Sequence, residues 1–217
     1  MSLTPTDRTT AHRHPERADL DRDVVYRILD EALTCTVAWV DTEGRPRALP
    51  TIQARIGEML YLHGSKAARA WKSAAVGTEL CVVATVIDEL VLARTSPHHS
   101  MNYRSVVVYG TATEVTGSDE LYAAAKAITH HVMPGREVEA AEPRDKDWRE
   151  TLIVSMPIDE ASAKIRTGPP IDDKEDLGLD VWAGTLPLRT IVGEPNAAPD
   201  LRAGIEVPDY LREFRRP

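Results

Sequence analysis

The stretch HHSMNYRSVVVYG, residues 98–110, decides how the chain is read. Its second half, SVVVYG, is an apolar β-branched run closed by glycine, the composition of a buried strand. Its first half packs two histidines, a serine, an asparagine, a tyrosine and an arginine into the same strand's entry. Side chains alternate faces along a strand. Met101, Tyr103 and Ser105 therefore share one face, and Asn102, Arg104, Val106 and Val108 share the other, core-like one. An arginine on a core face needs an anionic partner. That partner is either a carboxylate brought from elsewhere in the fold or the phosphate of a ligand, and no carboxylate lies near in sequence: Leu90 to Thr113 contains no Asp or Glu.

Outward from this strand the chain reads as short strands joined by tight turns. TCTVAWV (34–40) alternates and turns at DTEG; ALPTIQARI (48–56) returns, interrupted by Pro50; MLYLH (59–63) closes a hairpin. LCVVATVI and LVLART form a pair of strands about Asp88-Glu89, and TLIVSM and ASAKIR are the last strand-like runs. Gly110 reads as a bulge. Helices are predicted after Asp21, where Leu20, Val24, Ile28 and Ala32 fall four apart, over 64–77, and over SDELYAAAKAITHHVMPG with Ser118 as cap. AAEPRDKDWRE reads as a surface loop. The sum is mainly β with added helices, an antiparallel barrel and not a parallel doubly wound sheet. Residues 1–19 read as a flexible arm, 20–168 as the barrel domain, and 169–217 as a tail whose apolar island VWAGTLPLRTIV packs on the barrel or on a partner.

Composition narrows the function classes. The 217 residues carry 26 Lys and Arg against 34 Asp and Glu, net charge −8, which argues against nucleic acid and anionic membranes as partners. No apolar run approaches the roughly 20 residues of a membrane span. The N-terminus lacks the apolar core of a secretory signal. The two cysteines, Cys35 and Cys81, both lie in strand-like runs and read as buried thiols of a reducing compartment, the cytoplasm.

The chemistry-bearing stretch outside the opening strand is HGSKAARAWK, 63–72. A strand ends, Gly64 turns, Ser65 caps, and a helix begins whose first N–H groups suit an anion. Lys66, Arg69 and Lys72 follow at intervals of three, and Met59 to Thr78 contains no acid. A phosphate held by Ser65 and Lys66 on one side and by Arg104 and Ser105 on the other is the sharper reading; a solvated helix face is the plainer one. His63 ends the strand beside this corner, as a packing histidine or a catalytic one. GxGxxG and GxxxxGK[ST] are absent, and the adjacent pairs His98-His99 and His130-His131 make no metal site by themselves.

RPRALPTI, LYLHGSKAAR, LVLART before HHSMNYRSVVVYG, EASAKIRTGPP and VWAGTLPLR, in this order, resemble the pyridoxamine 5'-phosphate oxidase-like FMN-binding split-barrel superfamily, in its flavin-nucleotide-binding, nitroimidazole-reductase-like branch. The resemblance implies a six-stranded antiparallel split barrel, homodimeric, with FMN in clefts between subunits. It implies that the flavin edge lies on the backbone of Leu49, Pro50 and Thr51. The phosphate would sit at His63, Gly64, Ser65 and Lys66 with Arg69 near, and Tyr103, Arg104, Ser105 and Trp182 would add further contacts. The activity implied is a flavin-dependent oxidoreductase passing electrons from NAD(P)H to a small nitroaromatic or quinone-like acceptor. A non-catalytic flavin- or haem-binding module and a deazaflavin-dependent reductase stand as alternatives. The R-x-H tail motif of true pyridoxamine-phosphate oxidases is missing.

Overall fold

A computed structural model of the chain describes residues 1–68, 71 and 76–215. Helix α1 (Arg22–Glu31) begins where expected: the Asp21 carboxylate accepts from the Asp23 amide at 2.8 Å. Its apolar stripe is wider than a four-residue spacing suggests, because Val25 and Leu29 are buried together with Ile28. The other long helix, α2 (Ser118–Val132), starts after Gly117, so Ser118 is its first residue and not its cap. The described residues also form ten strands: β1 (Ala18–Asp19), β2 (Cys35–Val40), β3 (Pro46–Thr51), β4 (Gln53–Ile56), β5 (Met59–Ser65), β6 (Val76–Leu92), β7 (Ser100–Glu114), β8 (Thr151–Pro157), β9 (Glu160–Arg166) and β10 (Gly184–Pro187).

The main ladder runs β3-β2-β6-β7-β8-β5-β4, antiparallel throughout. Its two terminal strands, β3 and β4, are separated in sequence by Ile52 alone. One residue cannot span a flat seven-stranded sheet about 29 Å wide. The sheet must therefore curl until its ends meet, and that closure is the barrel. The split lies on β7, where β9 pairs along Tyr103–Tyr109 and β8 pairs at Thr113–Glu114 of the same edge. Leu60, Leu62, Leu80, Val82, Val106, Val108, Val154 and Met156 fill the interior. A second cluster, with Tyr61, Ile128 and Ile153, fills the space under α2.

Several expectations change. ALPTIQARI is two strands on opposite ends of the ladder, and the break falls at Ile52; Pro50 stays in register opposite Thr36. A proline fits there because β3 is an edge. Residues 80–92 are one strand and not a hairpin: Asp88 is the extra residue of a bulge between the pairs Ile87↔Tyr103 and Glu89↔Asn102. Gly110 is in regular register opposite Leu80; it is small because a Cβ there would come within 3.0 Å of Met156. The loop before β8 contains a short helix, Asp145–Glu150. The arm is not free: Leu3 is buried, Arg8 pairs with Glu79 and Glu160, and β1 pairs with β9. The tail returns through β10, which pairs with β6.

Candidate functional site

The corner after β5 comes first, since the sequence placed an anion there. Gly64 and Ser65 belong to the strand and pair with Leu152 and Thr151; they are not the turn. Gly64 is required for another reason. A Cβ at this position would lie 1.9 Å from Nε1 of the buried Trp71 indole, so only glycine lets the indole close over the strand. The Ser65 hydroxyl accepts from the Ala67 amide at 3.2 Å, and the Lys66 amide donates to the Glu150 carbonyl at 2.9 Å. The Lys66 side chain remains 44 % exposed, with Glu114 at 3.8 Å as its weak partner. Arg69 and Lys72 lie outside the described residues.

His63 and Ser65, two apart on β5, share the barrel's outer face. The His63 Nδ1 is buried and has no hydrogen-bond partner among the described residues. Burial holds its pKa below the ordinary histidine value, so the ring is neutral. The ring lines a cavity of about 390 Å³ bounded by Ile128 and Thr129 of α2, by Pro143, Asp147 and Trp148, and by Ile153 of β8.

The barrel's closure brings two predicted groups together. Gln53 pairs with Leu62, so His63 stands opposite Ile52, immediately beyond Leu49, Pro50 and Thr51. β3 has β2 on one side only, which leaves the main-chain groups of its outer edge unpaired among the described residues.

Arg104 is elsewhere. Its guanidinium takes both oxygens of Glu31, from the end of α1, and both oxygens of Asp88, with Nη2–Oδ1 at 2.7 Å. These contacts raise its pKa further above the ordinary arginine value, Asp88 contributing most. The core-face arginine thus finds carboxylates, the first of the two partners weighed from the sequence, and this corrects its place in a phosphate grip. The reason sequence could not show it is the bulge, which turns Asp88 inward, and the helix end that delivers Glu31. The grip fails on distance as well. Lys66 sits beside Glu114, ten residues along β7 from Arg104, about 33 Å of strand. One phosphate cannot touch both groups in one chain.

At the Arg104 end of β7, Ser105 donates to the Lys164 carbonyl at 3.3 Å, and Tyr103 pairs with Arg166 in the ladder. Trp182 is at this end too: its ring lies on Gly184, which pairs with Leu92 of β6, and it is 68 % exposed. Sequence reasoning missed the meaning of Arg166. It is 5 % exposed, donates to Asn102 Oδ1 and to the Gly168 and Pro169 carbonyls, and pairs with no carboxylate among the described residues. Burial and the positive charge of Arg17 lower its pKa. Asn102 in turn donates to Glu89 and to the Gly168 carbonyl at 3.0 Å. The signal was present in SAKIRTGPP, since an arginine two residues before Gly-Pro can satisfy the carbonyls of the turn it precedes.

Similarity to known proteins agrees with this architecture. The chain is similar over nearly its whole length to the flavocytochrome Anf3 from Azotobacter vinelandii: 31% identity, 98% of this chain, 99% of that one, TM-score 0.89. It is also similar to the FAD and haem binding protein from Mycobacterium smegmatis: 33% identity, 90% and 96% coverage, TM-score 0.85. A putative 5-nitroimidazole antibiotic resistance protein from Bacteroides thetaiotaomicron shares the fold at 20% identity, 68% and 86% coverage, TM-score 0.58. No curated protein sequence matches the chain. The family model described as pyridoxamine 5'-phosphate oxidase matches residues 21–165, and the chain belongs to that family.

Proposed function

We propose that this chain is a homodimeric flavin- and haem-binding redox protein, reduced by NAD(P)H and passing electrons to a small acceptor. The observation that carries the reading is the end-to-end likeness, tail included, to two proteins whose descriptions name a flavocytochrome and an FAD and haem binding protein. One of them names FAD, so the FMN expected from the sequence widens to a flavin nucleotide, FMN or FAD.

The residues fit a flavin in two halves. The unpaired edge of Leu49–Thr51 can meet the polar rim of the ring through main-chain groups, and Ser65 with the exposed Lys66 can meet the phosphate; both belong to one chain at the barrel's closure. Tyr103, Ser105 and Trp182 lie at the far end of β7. They can reach the same flavin only from a second copy. The tail supports that arrangement. Val181, Trp182, Leu186, Leu188, Ile191 and Val192 are all exposed large apolar side chains, and a second subunit is what such a stripe suits. For haem, the cavity beside His63 is walled by Ala125, Ile128, Pro143, Trp148 and Ile153 together with Thr129, Thr151 and Asp147, a mainly apolar lining with one acid.

A bound flavin supplies exchange between two-electron and one-electron carriers. The chain's part is to bind and exclude water: Lys66 offers charge to the phosphate, and the tail covers the cleft. The cofactor carries the chemistry, so no side chain of the β5 corner need act as an acid or base. Cys35, pushed up to about 12 by burial, is an unreactive thiol and fits the cytoplasm. No helix among the described residues is long and apolar enough to cross a membrane. The test is the visible spectrum of the purified protein, with its cofactors extracted and identified, followed by anaerobic NADH or NADPH. Flavin and haem bands that both respond to the nicotinamide support the reading. Protein that takes up neither group on reconstitution refutes it.

A further inference from the structure

The tail returns to the barrel through β10, which is four residues long and pairs only with β6 among the described residues. So short a strand carries little to fix its register, and a slip by one residue would exchange its two faces. Those faces differ in kind. Leu186 is 53 % exposed and belongs to the apolar stripe of the tail, while Thr185 is half-buried against β6. Two ion pairs, Arg94 with Asp172 at 2.8 Å and His98 with Asp173 at 3.3 Å, tether the chain well before β10 and leave its register open.

A row of polar contacts supplies what the ion pairs do not. Buried Arg166 donates to Asn102 Oδ1, and Asn102 Nδ2 donates to one Glu89 oxygen. The Thr185 hydroxyl donates to the other Glu89 oxygen at 3.4 Å. The row thus crosses β9, β7, β6 and β10, and Glu89 answers the charge of Arg166 through one amide. Asn102 and Arg166 also hold the Gly168 carbonyl, where the tail departs from β9. Both ends of the segment that carries Trp182 therefore meet the same row. The bulge at Asp88 makes this possible. Val82 and Ala84 are buried before it and Val91 and Ala93 beyond it, so the extra residue reverses the alternation. Without it Glu89 would face outward with Thr85 and Ile87; with it Glu89 lies on the inner side, opposite Asn102. Thr185 pairs with Val91, two residues along β6, and so shares that side. The Leu188 amide donates to the Asp88 carbonyl at 2.9 Å and seats the strand's end on the bulge.

We propose that Glu89 is the positioning residue that sets the register of β10. In a slipped register Leu186 would face the carboxylate and the buried amide, and the row would lose the Thr185 hydroxyl. The observed register turns Leu186 outward beside the exposed Trp182, toward the second copy. The inference rests on the two-chain cleft of the proposed function and goes beyond it by naming the residue that builds the tail's half of that cleft.

The test is oxidative cross-linking of Leu90→Cys with Leu186→Cys, which stand opposite each other only in this register. Flavin titration of the same Glu89 variants without the added cysteines runs in parallel. The cysteine pair should close in the otherwise wild-type chain; failure to close would overturn the register itself. Glu89→Ala should cut the yield and weaken flavin about tenfold. Glu89→Gln should retain both, because its oxygen can accept from Asn102 and its amide can donate to Thr185. A general loss of core stability would lower the unfolding midpoint without moving the cross-link in folded protein, so the yield is the deciding quantity. Should Glu89→Ala not fold, Thr185→Val, which keeps the shape and removes only the hydroxyl, decides by the same yield. Full cross-linking in the folded variant would overturn the assignment. Protein that takes no flavin while its cross-link still depends on Glu89 would overturn the proposed function and leave the register assignment standing.

Discussion

Gly64→Ala isolates the contact that shapes the corner after β5. The new methyl would lie 1.9–2.3 Å from Nε1, Cδ1 and Cε2 of Trp71, roughly half a normal carbon contact. The indole is 5 % exposed and packs in the main core, so it cannot swing aside freely. Overpacking of this kind costs typically 1–3 kcal/mol, and the depth of this overlap puts Gly64→Ala at the upper end, about 3 kcal/mol. Trp71→Ala by itself should cost about 3–5 kcal/mol through the cavity it leaves. In the double variant the methyl has room, and alanine is favoured over glycine in a strand by roughly 0.5–1 kcal/mol. The two losses should therefore fail to add by about 3 kcal/mol or more. Urea unfolding of the four proteins, followed by circular dichroism, measures the coupling. Additive losses would show that the indole does not lie over Gly64.

Three further outcomes follow from the site. Lys66→Ala should weaken FMN about ten- to a hundredfold and leave riboflavin, which lacks the phosphate, unchanged; titration of the apoprotein with both compares them directly. Arg104→Met should act on stability and not on that comparison. It removes the cation shared by Glu31 and Asp88, and with Arg104 27 % exposed the loss should be about 2 kcal/mol, below the 3–5 of a fully buried pair, and largely restored by adding Glu31→Gln and Asp88→Asn. Lastly, burial lowers the folded pKa of His63, so below the ordinary value near 6.5 the unfolded chain binds a proton that the native chain does not. In cofactor-free protein the stability difference between wild type and His63→Gln should be flat above about pH 7 and should move against the wild type as pH falls through 6.5 toward 5. A difference independent of pH would mean that the fold does not perturb the ring's proton affinity, and a difference moving in favour of the wild type at low pH would mean that the ring is held protonated in the fold.

Periodicity carried much of this architecture. The alternation in 101–108 places Asn102, Val106 and Val108 inside and Met101 outside, as the structure shows, and the capped helix after Asp21 is where its stripe put it. What sequence could not show is non-local. Nothing in ALPTIQARI reveals that its halves join opposite ends of a ladder, because closure is a property of the whole sheet. Asp88-Glu89 has the look of a hairpin, yet bulge and turn draw on the same polar residues, and only the pairing partner separates them. Arg104 announced the need for an anion and not its identity, since Glu31 arrives from a helix 73 residues away. Lys66 and Arg104, expected as the two arms of one phosphate grip, stand at opposite ends of β7.

That separation makes the two-chain cleft the central claim, and sedimentation velocity followed at the flavin's visible absorption tests it most directly. The account predicts that flavin sediments only with a species of two chains, and that Trp182→Ala together with Leu186→Asp releases monomer and flavin together. Flavin carried tightly by a single-chain species would contradict it.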